Sequence, residues 1–104
     1  MKRGEVWWAN LPAPIGRRPV TLVSRNEAYK VRDLIMIAPV TTRVRNIPTE
    51  VELGPKDGLP RRCVINCDSL VTIPKARLQS RITALNPAKV RELNQAIKFA
   101  LGLP

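Results

Sequence analysis

The chain has 104 residues, enough for one domain with one core, and carries 18 Lys and Arg against 8 Asp and Glu, a formal charge of +10. With 44% hydrophobic residues it is no disordered basic tail, and so large an excess of cations calls for an acidic partner, nucleic acid or an acidic protein. The absence of histidine excludes Ser-His-Asp and Cys-His catalysis, paired-histidine ribonuclease chemistry and every histidine-containing metal set.

Ten prolines, scattered singly, mostly separate short alternating apolar runs, the punctuation of a β-rich domain. The N-terminal Met1-Lys2-Arg3-Gly4-Glu5 is a charged turn with no apolar signal segment, and no run approaches the ~18 residues of a membrane span. With only two cysteines, the expectation is a cytoplasmic protein without membrane association. Val6 to Leu11 reads as a first strand, ended by the Pro-rich loop Pro12–Pro19, and Val20 to Ser24 as a second. Leu34 to Ala38 is apolar throughout, which predicts a central strand covered on both faces. Thr49 to Leu53 alternates, with Glu50 and Glu52 toward water and Val51 inward. Beyond the turn Gly54–Pro60, Cys63 to Cys67 and Leu70 to Ile73 read as two short strands or one bent strand, and Arg81 to Ala84 as a further extended piece. On one strand face the two cysteines would stand roughly 13 Å apart, too far for a disulfide.

The period then changes. Asn86 is a good N-cap, Pro87 suits the first helical position, and Leu85 and Val90 have the spacing of a hydrophobic staple. Val90, Leu93, Ile97 and Leu101 recur every three or four residues until Gly102, which predicts one amphipathic helix closing a small antiparallel barrel or sheet. All of 1–104 is read as one domain.

If the second and third strands are antiparallel neighbours, Arg18 comes close to Thr41 and Thr42, with Arg43 and Arg45 following and Asn10 and Arg17 at the same rim. Guanidinium groups bind phosphate bidentately and threonine hydroxyls donate to phosphoryl oxygens, so this strand end is a candidate phosphodiester site. The competing reading is of solvated arginines and threonines that merely end strands. Glu50 and Glu52, with Asp57, form no convincing metal set and read as the wet side of a strand. Cys63 and Cys67 lack a histidine base and read as buried structural thiols. Of Trp7 and Trp8, on opposite faces, one is expected in the core and the other free to stack on a base or meet a subunit. Asp68 reads as a turn cap.

The blocks Lys2-Arg3-Gly4-Glu5-Val6-Trp7-Trp8, Arg17-Arg18-Pro19-Val20, Val23-Ser24-Arg25-Asn26-Glu27-Ala28, Ile37-Ala38-Pro39-Val40-Thr41-Thr42, Asp57-Gly58-Leu59-Pro60 and Thr72-Ile73-Pro74-Lys75 resemble, in order, those of the MazF/PemK family of toxins. The resemblance runs from the first strand to the terminal helix. It implies a small SH3-like antiparallel β-barrel with a C-terminal helix, a homodimer, and a cofactor-free, metal-independent endoribonuclease cutting single-stranded RNA at short preferred sequences. It also implies an antitoxin whose acidic tail lies along the active groove. By matching positions, Arg18 and Thr41 would be catalytic. Arg18 would stabilise charge at phosphorus and Thr41 would donate to the same oxygens, while Arg17, Thr42, Arg43, Arg45 and Asn10 would bind RNA. The implied reaction is attack of the 2′-hydroxyl on the adjacent phosphate. Because arginine keeps its proton, the base stays open between water and the substrate itself. The loop Pro12–Arg18 lacks the longer Gly-rich insertion with which many relatives gate the groove. Two other classes fit the charge: a toxin of related fold acting on DNA gyrase, and a non-catalytic nucleic-acid-binding module.

Overall fold

The computed structural model describes residues 1–104. Alternating residues build seven strands: β1 (Glu5–Leu11), β2 (Gly16–Leu22), β3 (Leu34–Thr41), β4 (Glu50–Leu53), β5 (Cys63–Asn66), β6 (Val71–Pro74) and β7 (Leu78–Ala84). Two helices join them, the single turn α1 (Ala28–Val31) and the terminal α2 (Pro87–Leu101). Every pairing is antiparallel, in the order β4-β5-β3-β2-β1-β7, with β6 also on β3. The result is a curled half-barrel with one C-terminal helix, the β-rich architecture the sequence predicts.

Cys63 to Ile73 forms two strands that follow one another along the same edge of β3. β5 pairs with Val40 and Thr41, and β6 pairs with Leu34 to Ile37. The 3-10 turn Cys67–Ser69 separates them, so Cys67 stands in a turn rather than a strand, and both thiols are buried and free. Burial pushes the Cys67 thiol up to about 11. The cap of this turn is Asn66, whose Oδ1 accepts from Asp68 N; the Asp68 carboxylate instead accepts a hydrogen bond from the Thr49 hydroxyl at 2.6 Å.

Opposite faces of the sheet carry separate cores. Val20, Leu22, Ile35 and Ile37 pack with Tyr29 of α1 on one face. On the other, Ala38, Val40, Val51 and Ile65 pack with Leu93 and Ala96 of α2. Leu93 is fully buried, a contribution of about 2 kcal/mol. The α2 caps are those read from sequence: Asn86 Oδ1 accepts from Lys89 N, and Gly102 ends the helix at φ 70°. Leu101, however, is exposed along with Phe99, because the last turn of α2 lies beyond the core. In the turn before β5, Gly58 adopts φ +96°, and a Cβ there would stand 2.9 Å from Thr83 on β7. Only glycine fits so close an approach in that conformation.

Three further expectations are corrected. β2 starts at Gly16, not Val20, so Arg17 and Arg18 belong to a strand and pair with Asn10 and Ala9. Pro19 is tolerated because it stands just ahead of the β2–β3 ladder, which opens at Val20 and Pro39. The apolar run of β3 is covered along one face but only in part on the other: Leu34 and Met36 are each 45% exposed, since α2 reaches only the Ala38 and Val40 end. Neither tryptophan is fully buried, though Trp7 packs against the core that holds Val20 and Ile37. Both are half-buried, Trp7 donating its indole N–H to Glu5 and Trp8 lying under Arg17.

Candidate active site

The β2–β3 register pairs Val20 with Pro39, and continuing it two residues places Arg18 across from Thr41. On the far side of β3, Thr41 pairs with Val64 of β5, and Asn66 of β5 pairs with Glu50 of β4. Arg18, Thr41, Asn66 and Glu50 line one cleft of about 390 Å³, whose apolar wall includes Leu11 and Ile37. Arg43 and Arg45 enter it from the loop after β3.

The local chemistry is specific at two points. The Thr41 hydroxyl oxygen accepts the Arg43 backbone N–H at 3.2 Å, which leaves its own proton for an incoming acceptor. Glu50 is half-buried rather than merely wet, and its Oε1 accepts the backbone N–H groups of Arg45 at 2.9 Å and Asn46 at 3.1 Å. That carboxylate fastens the loop carrying the two arginines, with Asn46 taking the left-handed conformation at φ 57°. None of the guanidinium groups of Arg18, Arg43 and Arg45 is engaged in an ion pair; the ion pairs are Arg62–Glu52, Arg81–Glu5 and Lys89–Glu92. Three free cations and a donating hydroxyl converge on one cavity, an arrangement that suits phosphate oxygens.

The remaining sequence-predicted residues stand elsewhere. Arg17, one residue from Arg18, points to the other face of β2, where its guanidinium lies 4.1 Å from the Trp8 ring centroid and its Nε donates to Gln79. Asn10 is exposed, with its carbonyl accepting from Arg77, and does not line the cleft. Thr42 lines a second cleft, which it shares with Thr41 and Trp8. Sequence reasoning missed the structural work of Glu50 and the placement of Asn66. The only available signal was that both sit at strand ends facing Thr41 in a four-strand row. No group of three His, Cys, Asp or Glu side chains converges on a possible metal position.

Comparison with known proteins identifies the family of the chain. The model of the family described as PemK-like, MazF-like toxin of type II toxin-antitoxin system matches residues 2–101. A probable endoribonuclease of Mycobacterium tuberculosis, MazF5, is 39% identical over 100 residues, covering 95% of this chain and 91% of the relative. Among solved structures, the Mycobacterium tuberculosis toxin MazF-mt6 shares the fold with a TM-score of 0.88 and 31% identity, over 96% of this chain and 98% of that one. A mycobacterial endoribonuclease solved in complex with its cognate antitoxin gives a TM-score of 0.88 and 32% identity, over 100% of this chain and 97% of that one. The chain belongs to the family of PemK-like, MazF-like toxins of type II toxin-antitoxin systems.

Proposed function

We propose that the chain is an endoribonuclease toxin that cleaves single-stranded RNA by transesterification, with Arg18 and Thr41 as its catalytic residues. The observation that carries this reading is the cleft in which Arg18 stands across from Thr41 with its charge unpaired. The RNA 2′-hydroxyl oxygen attacks the adjacent phosphorus, the bond from phosphorus to the 5′-oxygen breaks, and a cyclic phosphate and a 5′-hydroxyl remain. Arg18 meets the extra negative charge on the phosphoryl oxygens as it develops, and Thr41 donates its proton to the same oxygens in a hydrogen bond. Arg43 and Arg45 hold neighbouring phosphates. The 2′-hydroxyl proton leaves to water or to a substrate oxygen, since no arginine accepts it, and the departing 5′-oxygen takes a proton from water.

The proposed reaction uses no metal ion: Arg18 and Thr41 supply the charge stabilisation, and the one carboxylate in the cleft, Glu50, holds the backbone of Arg45 and Asn46 through Oε1. A cognate antitoxin with an acidic segment is the expected inhibitor of a surface of charge +10. A homodimer is part of this reading, and exposed apolar side chains stand on β3, at Leu34 and Met36, and on α2, at Phe99 and Leu101. No helix is long and apolar enough to cross a membrane. Incubation with a long unstructured RNA in EDTA tests the reading: cleavage leaving 5′-hydroxyl ends is expected. Loss of cleavage in EDTA with recovery in magnesium would falsify the mechanism, and inhibition of DNA supercoiling without RNA cleavage would favour a gyrase-directed toxin.

A further inference from the structure

Thr41 lines a second cleft as well as the first. This one has a volume of about 310 Å³, at the small end of the ~300–1,000 Å³ typical of small-molecule sites. Its walls include Trp8, Pro19, Val40 and Leu59, its floor is the buried Cys63, and Thr42 and Arg61 supply polar groups at the rim. We propose that this cleft is a nucleobase pocket that fixes which base flanks the scissile phosphate, an inference that rests on the endoribonuclease reading above.

Charge separates the two clefts. The first offers three free guanidinium groups, whereas the second offers Arg61 alone over an apolar wall. Burial, reinforced by the negative charge of Asp57, raises the Cys63 thiol, which keeps the floor uncharged. A phosphate is served by the first environment. A flat apolar ring with hydrogen-bonding edges is served by the second.

The aromatic wall is fixed before any ligand arrives. Arg17 lies over the Trp8 ring and is itself held by Gln79, so stacking against this indole loses little side-chain freedom. The opposite wall, Leu59 to Arg61, follows the Gly58 turn that is seated against Thr83 on β7. Single-stranded RNA is read by splaying a base onto an aromatic side chain and hydrogen-bonding its edges, and here the Thr42 hydroxyl and the Arg61 guanidinium occupy the edge positions. Thr41 ends β3 and borders both cavities, so an RNA strand with a phosphate at the Thr41 hydroxyl would pass round the strand end to bring a neighbouring base to the second.

The test is the pattern of cleavage, not its total rate. A single-stranded RNA pool randomised in sequence is cut by the wild-type protein and by Trp8→Leu, Arg61→Ala and Thr42→Val, and the 5′ ends are sequenced. Discrimination among bases should fall about tenfold in each variant at one position beside the cut, with preferences elsewhere retained. Arg61 and Thr42 are exposed, so their variants keep the test decisive even where Trp8→Leu fails to fold. Wild-type preference at every position in both Arg61→Ala and Thr42→Val would overturn the pocket while leaving the cleavage reading intact. A wild-type protein that leaves the pool uncut would overturn both.

Discussion

The proposed catalytic cleft and the groove beside the start of α2 are both concave and both lined by cations, yet the arginines of the first are free, whereas in the second only Lys56 is left unpaired. The α2 groove is the larger, about 620 Å³ against about 390 Å³. There Arg62 Nε is spent on Glu52 at 2.9 Å, while Lys89 Nζ reaches the Glu52 carbonyl at 2.6 Å and Glu92 at 3.5 Å. In the proposed catalytic cleft the carboxylate binds backbone N–H groups instead, and the guanidinium groups of Arg18, Arg43 and Arg45 are left for a ligand. A basic residue is open to a ligand only where its neighbours leave it unpaired, and neither pocket size nor charge count reveals that.

Removing a free cation should therefore act on activity, and removing a paired group on stability. The largest effect belongs to Arg18→Ala, where losing one preorganised donor should slow single-turnover cleavage about 10²–10³-fold, with Thr41→Ala similarly impaired. Both variants should stay within about 1 kcal/mol of wild-type stability in thermal melts, since neither side chain belongs to a core cluster. Near wild-type cleavage by folded Arg18→Ala protein would erase the distinction between the two regions.

Next comes a paired group. Glu5 is buried, which alone would raise its carboxyl, but hydrogen bonds from the Trp7 indole, the Lys2 backbone and Arg81 outweigh burial and lower it below its ordinary 4.5. The stability it contributes is complete above pH 4.5 and is lost as pH falls through its lowered value. Glu5→Gln should cost about 1–3 kcal/mol at neutral pH and flatten that part of the acid limb in melts recorded from pH 6 to 3. An acid limb identical to wild type would remove Glu5 from the stability argument.

The smallest effect sharpens the comparison most. Arg43→Ala should reduce the slope of log K against log salt for single-stranded RNA by about 0.7, one phosphate contact, with little loss of rate at saturating RNA. Arg62→Ala, from the paired groove, should leave that slope unchanged. Equal slopes for the two variants would mean that pairing does not decide which arginines meet RNA.

Much of this was readable before any coordinates. The change from strand alternation to helical period announced α2, and Asn86, Pro87 and Gly102 bounded it because caps are local chemistry. Arg18 and Thr41 were brought together by the geometry of an antiparallel pair, which a single correct neighbour assignment determines. The failures share a non-local cause. Pro19 argued against a strand beginning at Gly16, and its tolerance depends on where the β3 ladder opens. The run Leu34–Ala38 suggested two covered faces, but α2 covers only one end of it. The four residues of α1 are too few to display a helical period, and Tyr29 is fixed there by donating its hydroxyl to the Ser24 carbonyl. Glu50 looked like surface because its partners, the Arg45 and Asn46 amides, are set by a loop conformation that side-chain patterns do not encode.

β3 gives the site a fixed datum. One edge of this strand is bonded to β6 and then β5, the other to β2 over Ile37 to Pro39, so its backbone opens only when the sheet itself comes apart. Thr41 terminates that strand, whereas Arg43 and Arg45 ride on a segment outside the ladder, held by the Thr41 hydroxyl and the Glu50 carboxylate. In the proposed reaction the phosphate under attack would thus be referenced to a strand bonded along both edges, and the phosphates on either side to side chains on a loop outside the ladder. Such a site would combine a fixed origin with flanks set by side chains, so that one geometry of cutting could serve RNA strands of different shapes.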